Sequence, residues 1–253
     1  MSAMIQCKGV WKRYGKSARG IKELLIGRRK ITESRYSRDW ALQGVDFEVQ
    51  RGEAFGIIGH NGTGKSTLLS LLLGTIQPDK GDIHIDGRVA SLLELGAGFH
   101  PDLTGRENIF LYGSILGMTL AEIRKHFDAI VAFSELEGAI DNPIRTYSNG
   151  MTARLGFSTI IHTPVDVLLI DEVLAVGDSR FKEKCRNYLH DFKARQGTLV
   201  IVSHELETLE GMCDTGMCMN LGQVVEKGDI SRVIAHYSTL MKLNGKEKEG
   251  KNG

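Results

Sequence analysis

Apolar residues follow two different periods along this chain, and the alternation between them outlines its elements. Continuous apolar runs over residues 54–58, 167–170 and 198–202 read as strands, whereas residues 68–73, 120–133 and 155–161 carry apolar side chains at helical spacing. Residues 181–195 read as a further helix. Residues 5–10 and 45–49 read as early strands of an antiparallel edge, joined by a short strand over 83–85 that ends at the Asp86-Gly87 turn. Residues 217–226, interrupted at Leu221-Gly222, read as a hairpin. Strands interleaved with helices predict an α/β fold with an antiparallel edge sheet.

Two of the predicted strands deliver chemistry. The first runs into Gly59-His60-Asn61-Gly62-Thr63-Gly64-Lys65-Ser66, which fits G-x-x-x-x-G-K-[ST], and a helix follows. Backbone amides left uncrowded by Gly62 and Gly64 can converge on phosphate oxygens, and the helix N-terminus adds its positive end. The expected phosphate contacts are Gly59, Asn61, Gly62, Gly64, Lys65, Ser66 and Thr67. Lys65 reaches the β- and γ-phosphates of ATP, and Ser66 ligates Mg2+. The second strand ends in Asp171-Glu172, at the carboxyl edge where open α/β sheets place ligands. Asp171 fits a magnesium-holding role, and Glu172 is placed to polarise a water for attack on the γ-phosphate.

About 110 residues separate the two motifs, far more than one crossover helix needs, so a helical subdomain is expected at about 96–163. Within it, Tyr147-Ser148-Asn149-Gly150-Met151 precedes an amphipathic segment. A serine at a helix entrance is by default an N-cap. Here the segment also resembles the signature motif of ATP-binding-cassette ATPases, and the resemblance implies that Ser148, Asn149 and Gly150 contact the γ-phosphate held by another subunit. The same family places a switch histidine after a strand, matched by His204 in Val202-Ser203-His204-Glu205, and a D-loop aspartate, matched by Asp178. Tyr14 falls where the family's adenine-stacking aromatic sits once an insertion is allowed for; Trp40 and Tyr36 compete for that role.

Within the family, the chain is most similar to ATPase subunits of bacterial polysaccharide exporters of the O-antigen, capsule or teichoic acid type. The phrases that carry this are Leu92-Leu93-Glu94-Leu95-Gly96-Ala97-Gly98-Phe99, Leu103-Thr104-Gly105-Arg106-Glu107-Asn108, the Tyr147 motif, and residues 171–181. Two departures from ordinary cassettes stand out. Tyr-Ser-Asn-Gly-Met replaces Leu-Ser-Gly-Gly-Gln, and Glu94 or Leu95 stands where a glutamine would contact magnesium, with Glu94 the candidate substitute.

With 32 basic against 31 acidic residues there is no global bias towards nucleic acid or membrane, and no nucleic-acid partner is expected. No apolar run approaches the ~18 residues of a membrane span, and the resemblance implies a peripheral location on the cytoplasmic face of the inner membrane. Cys7, Cys185, Cys213 and Cys218 lack metal-site spacing and read as reduced thiols. Residues 16–39 form a basic insertion, with Ile21, Leu24 and Leu25 at helical spacing ahead of Arg28, Arg29 and Lys30; such a charge run reads equally as a solvated face, while the resemblance to the exporters implies that these three receive an anionic lipid-linked glycan head group. The cassette domain is expected to span 1–241, with 242–253 a disordered tail.

The resemblance implies an ATP-hydrolysing subunit that works with a second copy of itself and a polytopic membrane permease to export a lipid-linked glycan. Alternatives are the ATPase of a lipid or drug exporter, a soluble cassette ATPase of repair or translation, and a non-hydrolysing scaffold.

Overall fold

The computed structural model describes residues 3–14, 40–93, 95–171 and 177–249, with side chains to residue 242. Strands β1 (Ala3–Arg13) and β2 (Trp40–Gln50) pair antiparallel. After β3 (Ala54–Gly59) and helix α1 (Lys65–Leu72), strand β4 (Lys80–Ile85) returns to the other side of β1, so the first sheet has the order β2-β1-β4. Strand β5 (Val89–Ser91) then opens a second sheet with β6 (Val167–Asp171), β7 (Thr198–Val202), β8 (Thr215–Asn220) and β9 (Gln223–Asp229), in the order β5-β6-β7-β3-β8-β9. This sheet is parallel from β5 to β8, and β9 closes it as an antiparallel edge.

The continuous apolar runs occupy the middle of the second sheet because both of its faces are covered. In β6, Val167 and Leu169 face α1 and the first sheet, while Leu168 and Ile170 face the opposite helical layer. That layer contains α5 (Ser179–Ala194), α6 (Leu206–Met212) and α7 (Ile230–Glu249), through Phe181, Cys185, Leu189, Leu209 and Val233. The β8–β9 turn has Leu221 at φ 47° and Gly222 at φ 79°, the two positive values of a type I′ hairpin.

Between β5 and β6 lie α2 (Gly105–Ile115), α3 (Leu120–Ser134) and α4 (Asn149–Ile161), with their own core of Ile109, Ile123, Ile130, Ile144 and Leu155. Two capping boxes start this region, Thr104 with Glu107 and Thr119 with Glu122. Asn108, fully buried, donates to the carbonyls of His100, Leu103 and Thr104 and accepts from the His100 amide, pinning the turn into α2.

Two expectations are corrected. Residues 155–161 are buried on every side rather than amphipathic. Leu155 packs into the helical core and Phe157, Ile160 and Ile161 into the main one, so this half of α4 is wedged between the two. The hydroxyls of Ser158 and Thr159 are satisfied by the carbonyls of Arg154 and Leu155. The second correction concerns the tail: α7 runs on to Glu249, where disorder is expected from composition. Lys and Glu bury little, but they are good helix formers, and they extend a helix already nucleated by packing. The basic insertion, with Arg28, Arg29, Lys30 and Tyr36, lies outside the described residues.

Candidate functional site

Strand β3, buried along its length, carries the chain to Gly59, where the loop turns. Gly62 and Gly64 have φ 81° and 101°, the left-handed region that favours glycine. At Gly64, a Cβ would also stand 2.5 Å from the Ala41 carbonyl oxygen. The loop is braced from behind, since the Gly222 amide of the β8–β9 turn donates to the Thr63 carbonyl at 3.1 Å. Lys65 is buried, and its Nζ donates to the carbonyls of Gly59 at 2.6 Å and His60 at 2.9 Å.

One cavity of about 420 Å³ gathers Tyr14, Asn61, Gly62, Gly64, Lys65, Ser66, Thr67 and Asp171. Residues from the end of β1, the phosphate loop and the end of β6 thus line one cavity. Tyr14 is 56% exposed at the cavity edge. Trp40 is engaged elsewhere, edge-on to Trp11 at 5.2 Å and under the Arg13 guanidinium. The Ser66 hydroxyl and Asp171 carboxylate supply the hard oxygen donors that Mg2+ accepts, and with phosphate oxygens and water they make a suitable set.

Gly59 and Asn61 also line a second cavity, of about 350 Å³, with His60, His204 and Tyr237. His204 follows the fully buried β7, and the Ser203 hydroxyl accepts the Glu205 amide at 2.9 Å to shape the turn. Glu172 and Glu94, expected as water activator and magnesium contact, lie outside the described residues.

Ser148 caps α4, accepting the Met151 amide at 3.2 Å. It lines a third cavity of about 700 Å³, together with Gly150, Arg154 and Asp178 and without Lys65 or Asp171. Gly150 is demanded by neither conformation nor crowding, for a Cβ there would meet only the Ser148 hydroxyl at 3.7 Å. Asn149 takes the first helical position and is exposed.

Three contributors are not singled out by sequence. Tyr147 donates its hydroxyl to the Ala139 carbonyl at 2.7 Å, anchoring the start of α4 on the helical subdomain; its phenol is pushed up by burial. Arg154 donates to Asp178 at 2.6 Å and Glu135 at 3.2 Å and lies over the Phe181 ring. Asp178 caps α5 through the Phe181 amide, and that bond, seconded by the Arg154 charge, holds its carboxyl below the ordinary range. The third is a close approach: a Cβ at Gly156 would stand 2.8 Å from the Gly96 amide nitrogen, so the segment after Glu94 rests directly on α4. An arginine one turn and a half beyond a capping serine, ahead of an apolar half-helix, is the signal that could have found Arg154.

The four cysteines are buried, and burial raises their thiols to about 12 for Cys7, Cys185 and Cys213 and about 11 for Cys218. They are therefore poor nucleophiles and metal ligands. No helix among the described residues is long and apolar enough to cross a membrane.

The family model described as ABC transporter matches residues 42–175. An O-antigen export system ATP-binding protein of Myxococcus xanthus is 48% identical over 85% of this chain and 50% of its own length, so the chain spans half of that relative. A protein of the same description from Klebsiella pneumoniae is 46% identical over 88% of this chain and 91% of its own. A solved structure of the ATP-binding subunit of an ABC transporter superposes with a TM-score of 0.75 at 21% identity, covering 93% of each chain.

Proposed function

The chain belongs to the ABC transporter family, and from that premise we propose that it is the ATP-hydrolysing subunit of an exporter of lipid-linked cell-surface polysaccharide, of the O-antigen type. The O-antigen export descriptions of the relatives support the substrate class. It works as a pair on the cytoplasmic face of the inner membrane, attached to a polytopic permease.

One observation carries the mechanism. Lys65 and Asp171 share a cavity that Ser148 does not reach, while Ser148 and the uncrowded Gly150 face a different one. An ATP held by one copy therefore meets Ser148 of a second. In that arrangement Tyr14 stacks on adenine. Amides of Gly62, Gly64 and Lys65 surround the phosphates, and the Lys65 ammonium leaves its own loop's carbonyls for the γ-phosphate. Ser66 and Asp171, with Glu94 as a further contact, would hold Mg2+, which would supply positive charge to the phosphate oxygens. Glu172 accepts the proton of the attacking water and His204 orients the γ-phosphate. Asp178 and Arg154 connect the signature helix to the segment after Glu172. Arg28, Arg29 and Lys30 meet the anionic head group of the glycolipid.

The test is transport. Co-purified with its permease in inverted vesicles, the chain should drive ATP-dependent uptake of a lipid-linked glycan, and Lys65→Ala should abolish it. Uptake of unrelated amphiphiles with no response to the glycan would instead support a lipid or drug exporter.

A further inference from the structure

Helix α7 reaches from the edge of the sheet to the phosphate loop. At its start, Ile230 lies so close to β3 and β8 that a Cβ at Gly56 or Gly216 would stand 2.9 Å from its Cδ1. Val233 and Tyr237 follow on the same face, both buried. This stripe seats α7 on the strand that leads into the loop and carries the Tyr237 ring past the strand's end. There it meets His60, with ring centroids 5.8 Å apart and planes tilted by 56°.

His60 is a strategic residue to hold. Its carbonyl accepts from the Thr63 hydroxyl at 2.8 Å and from Lys65 Nζ at 2.9 Å, so His60 ties down the turn of the loop and holds the lysine until it moves to the phosphates. The His60 Nε2 atom is buried with no hydrogen-bond partner among the described residues. The Tyr237 ring packs against the imidazole and holds it in place. The cavity between His60, His204 and Tyr237 adjoins the nucleotide cavity through their shared Asn61. Tyr237 thus backs the loop beside Gly59 and His204 and does not line the cavity that holds Lys65 and Asp171.

We propose that Tyr237 is a positioning residue for ATP binding: its ring fixes His60, and through the hydrogen bond that the His60 carbonyl accepts from the Thr63 hydroxyl it holds the turn of the phosphate loop in shape to receive the phosphates, so that the seating of α7 is transmitted to the loop. The proposal rests on the ATPase reading above. A wild-type protein that fails to bind ATP would refute that reading, whereas the comparison of variants refutes this one.

The experiment is a titration of the purified full chain with a fluorescent ATP analogue and with ADP, alongside steady-state hydrolysis. Tyr237→Leu, which keeps an apolar residue in the core, should raise Kd and KM about twofold to tenfold, the range of one aromatic pair, with kcat nearly unchanged. Tyr237→Phe keeps the ring and should restore wild-type values. His60→Ala, which leaves Ile230 and Val233 of α7 seated in the core, should raise Kd by a similar factor and add little when combined with Tyr237→Leu. Unchanged affinity in His60→Ala would overturn the proposal whether or not Tyr237→Leu folds. So would additive effects in the double variant, or a Tyr237→Phe protein as weak as Tyr237→Leu.

Discussion

At Gly64 two independent constraints coincide, a φ of 101° and a Cβ position 2.5 Å from the Ala41 carbonyl. Gly64→Ala must therefore both strain the loop and push β2 away, with the strain alone on the order of 1–3 kcal/mol. Nucleotide binding should be lost and the melting midpoint should fall, whereas Gly62→Ala, which meets no neighbouring atom, should be milder; equal effects would show that crowding at Ala41 is unimportant. Arg154 makes a different kind of contribution. Its partners Asp178 and Glu135 are solvent-accessible, so the ion pairs are screened. Arg154→Met should accordingly slow hydrolysis only about twofold to fivefold while leaving ATP affinity unchanged, because it loosens the segment after Glu172 and not the phosphate loop. A loss of affinity equal to the loss of rate would place Arg154 in the binding site instead.

Among the elements, the helical subdomain depends on its caps. Thr104→Ala removes one half of a capping box and should lower the melting midpoint by about 2–4 °C, the shift that ~1 kcal/mol produces in a domain of this size. The box also has a pH signature. Backbone and hydroxyl hydrogen bonds from Thr104 depress the Glu107 carboxyl below its ordinary 4.5, and Thr119 does the same to Glu122. A depressed carboxyl stabilises the fold above its unfolded value, and that contribution is lost as pH falls through the lower folded value. Thermal melts should therefore show the Thr104→Ala deficit undiminished at pH 7 and shrinking below about pH 4.5; a deficit constant down to pH 3 would contradict the cap. The strands of the central sheet were legible because burial on both faces demands unbroken apolar runs, and the phosphate loop because positive φ demands glycine. The short strand β5 and helix α7 were not. Three residues carry no periodicity, and the charged end of α7 reads as tail when burial is the only criterion. The apolar half of α4 was misread for a related reason: a helix wedged between two cores has no polar face, and its Ser158 and Thr159 imitate one. Arg154 is not legible because its partners Glu135 and Asp178 lie about twenty residues away on either side, and Tyr147 reads only as part of the signature motif, its bond to the Ala139 carbonyl leaving no trace in the sequence.

The whole molecule holds half of two sites. Tyr14, the phosphate loop and Asp171 converge on one cavity and Ser148 and Gly150 on another, and in the proposed pair a second copy would bring its signature to the phosphate loop. Two Arg154–Asp178 pairs would then lie near the shared interface and pass closure around ATP to the helical subdomains. The direct test is the mass in solution of Glu172→Gln, which would remove the proposed proton acceptor and leave the phosphate contacts, with ATP and Mg2+ present. Light scattering should give about twice the 27.9 kDa of one chain, and adding Ser148→Arg to the same protein should return it to a single chain that still binds ATP. A Glu172→Gln protein that stays single with ATP bound, or a pair indifferent to Ser148→Arg, would contradict the account.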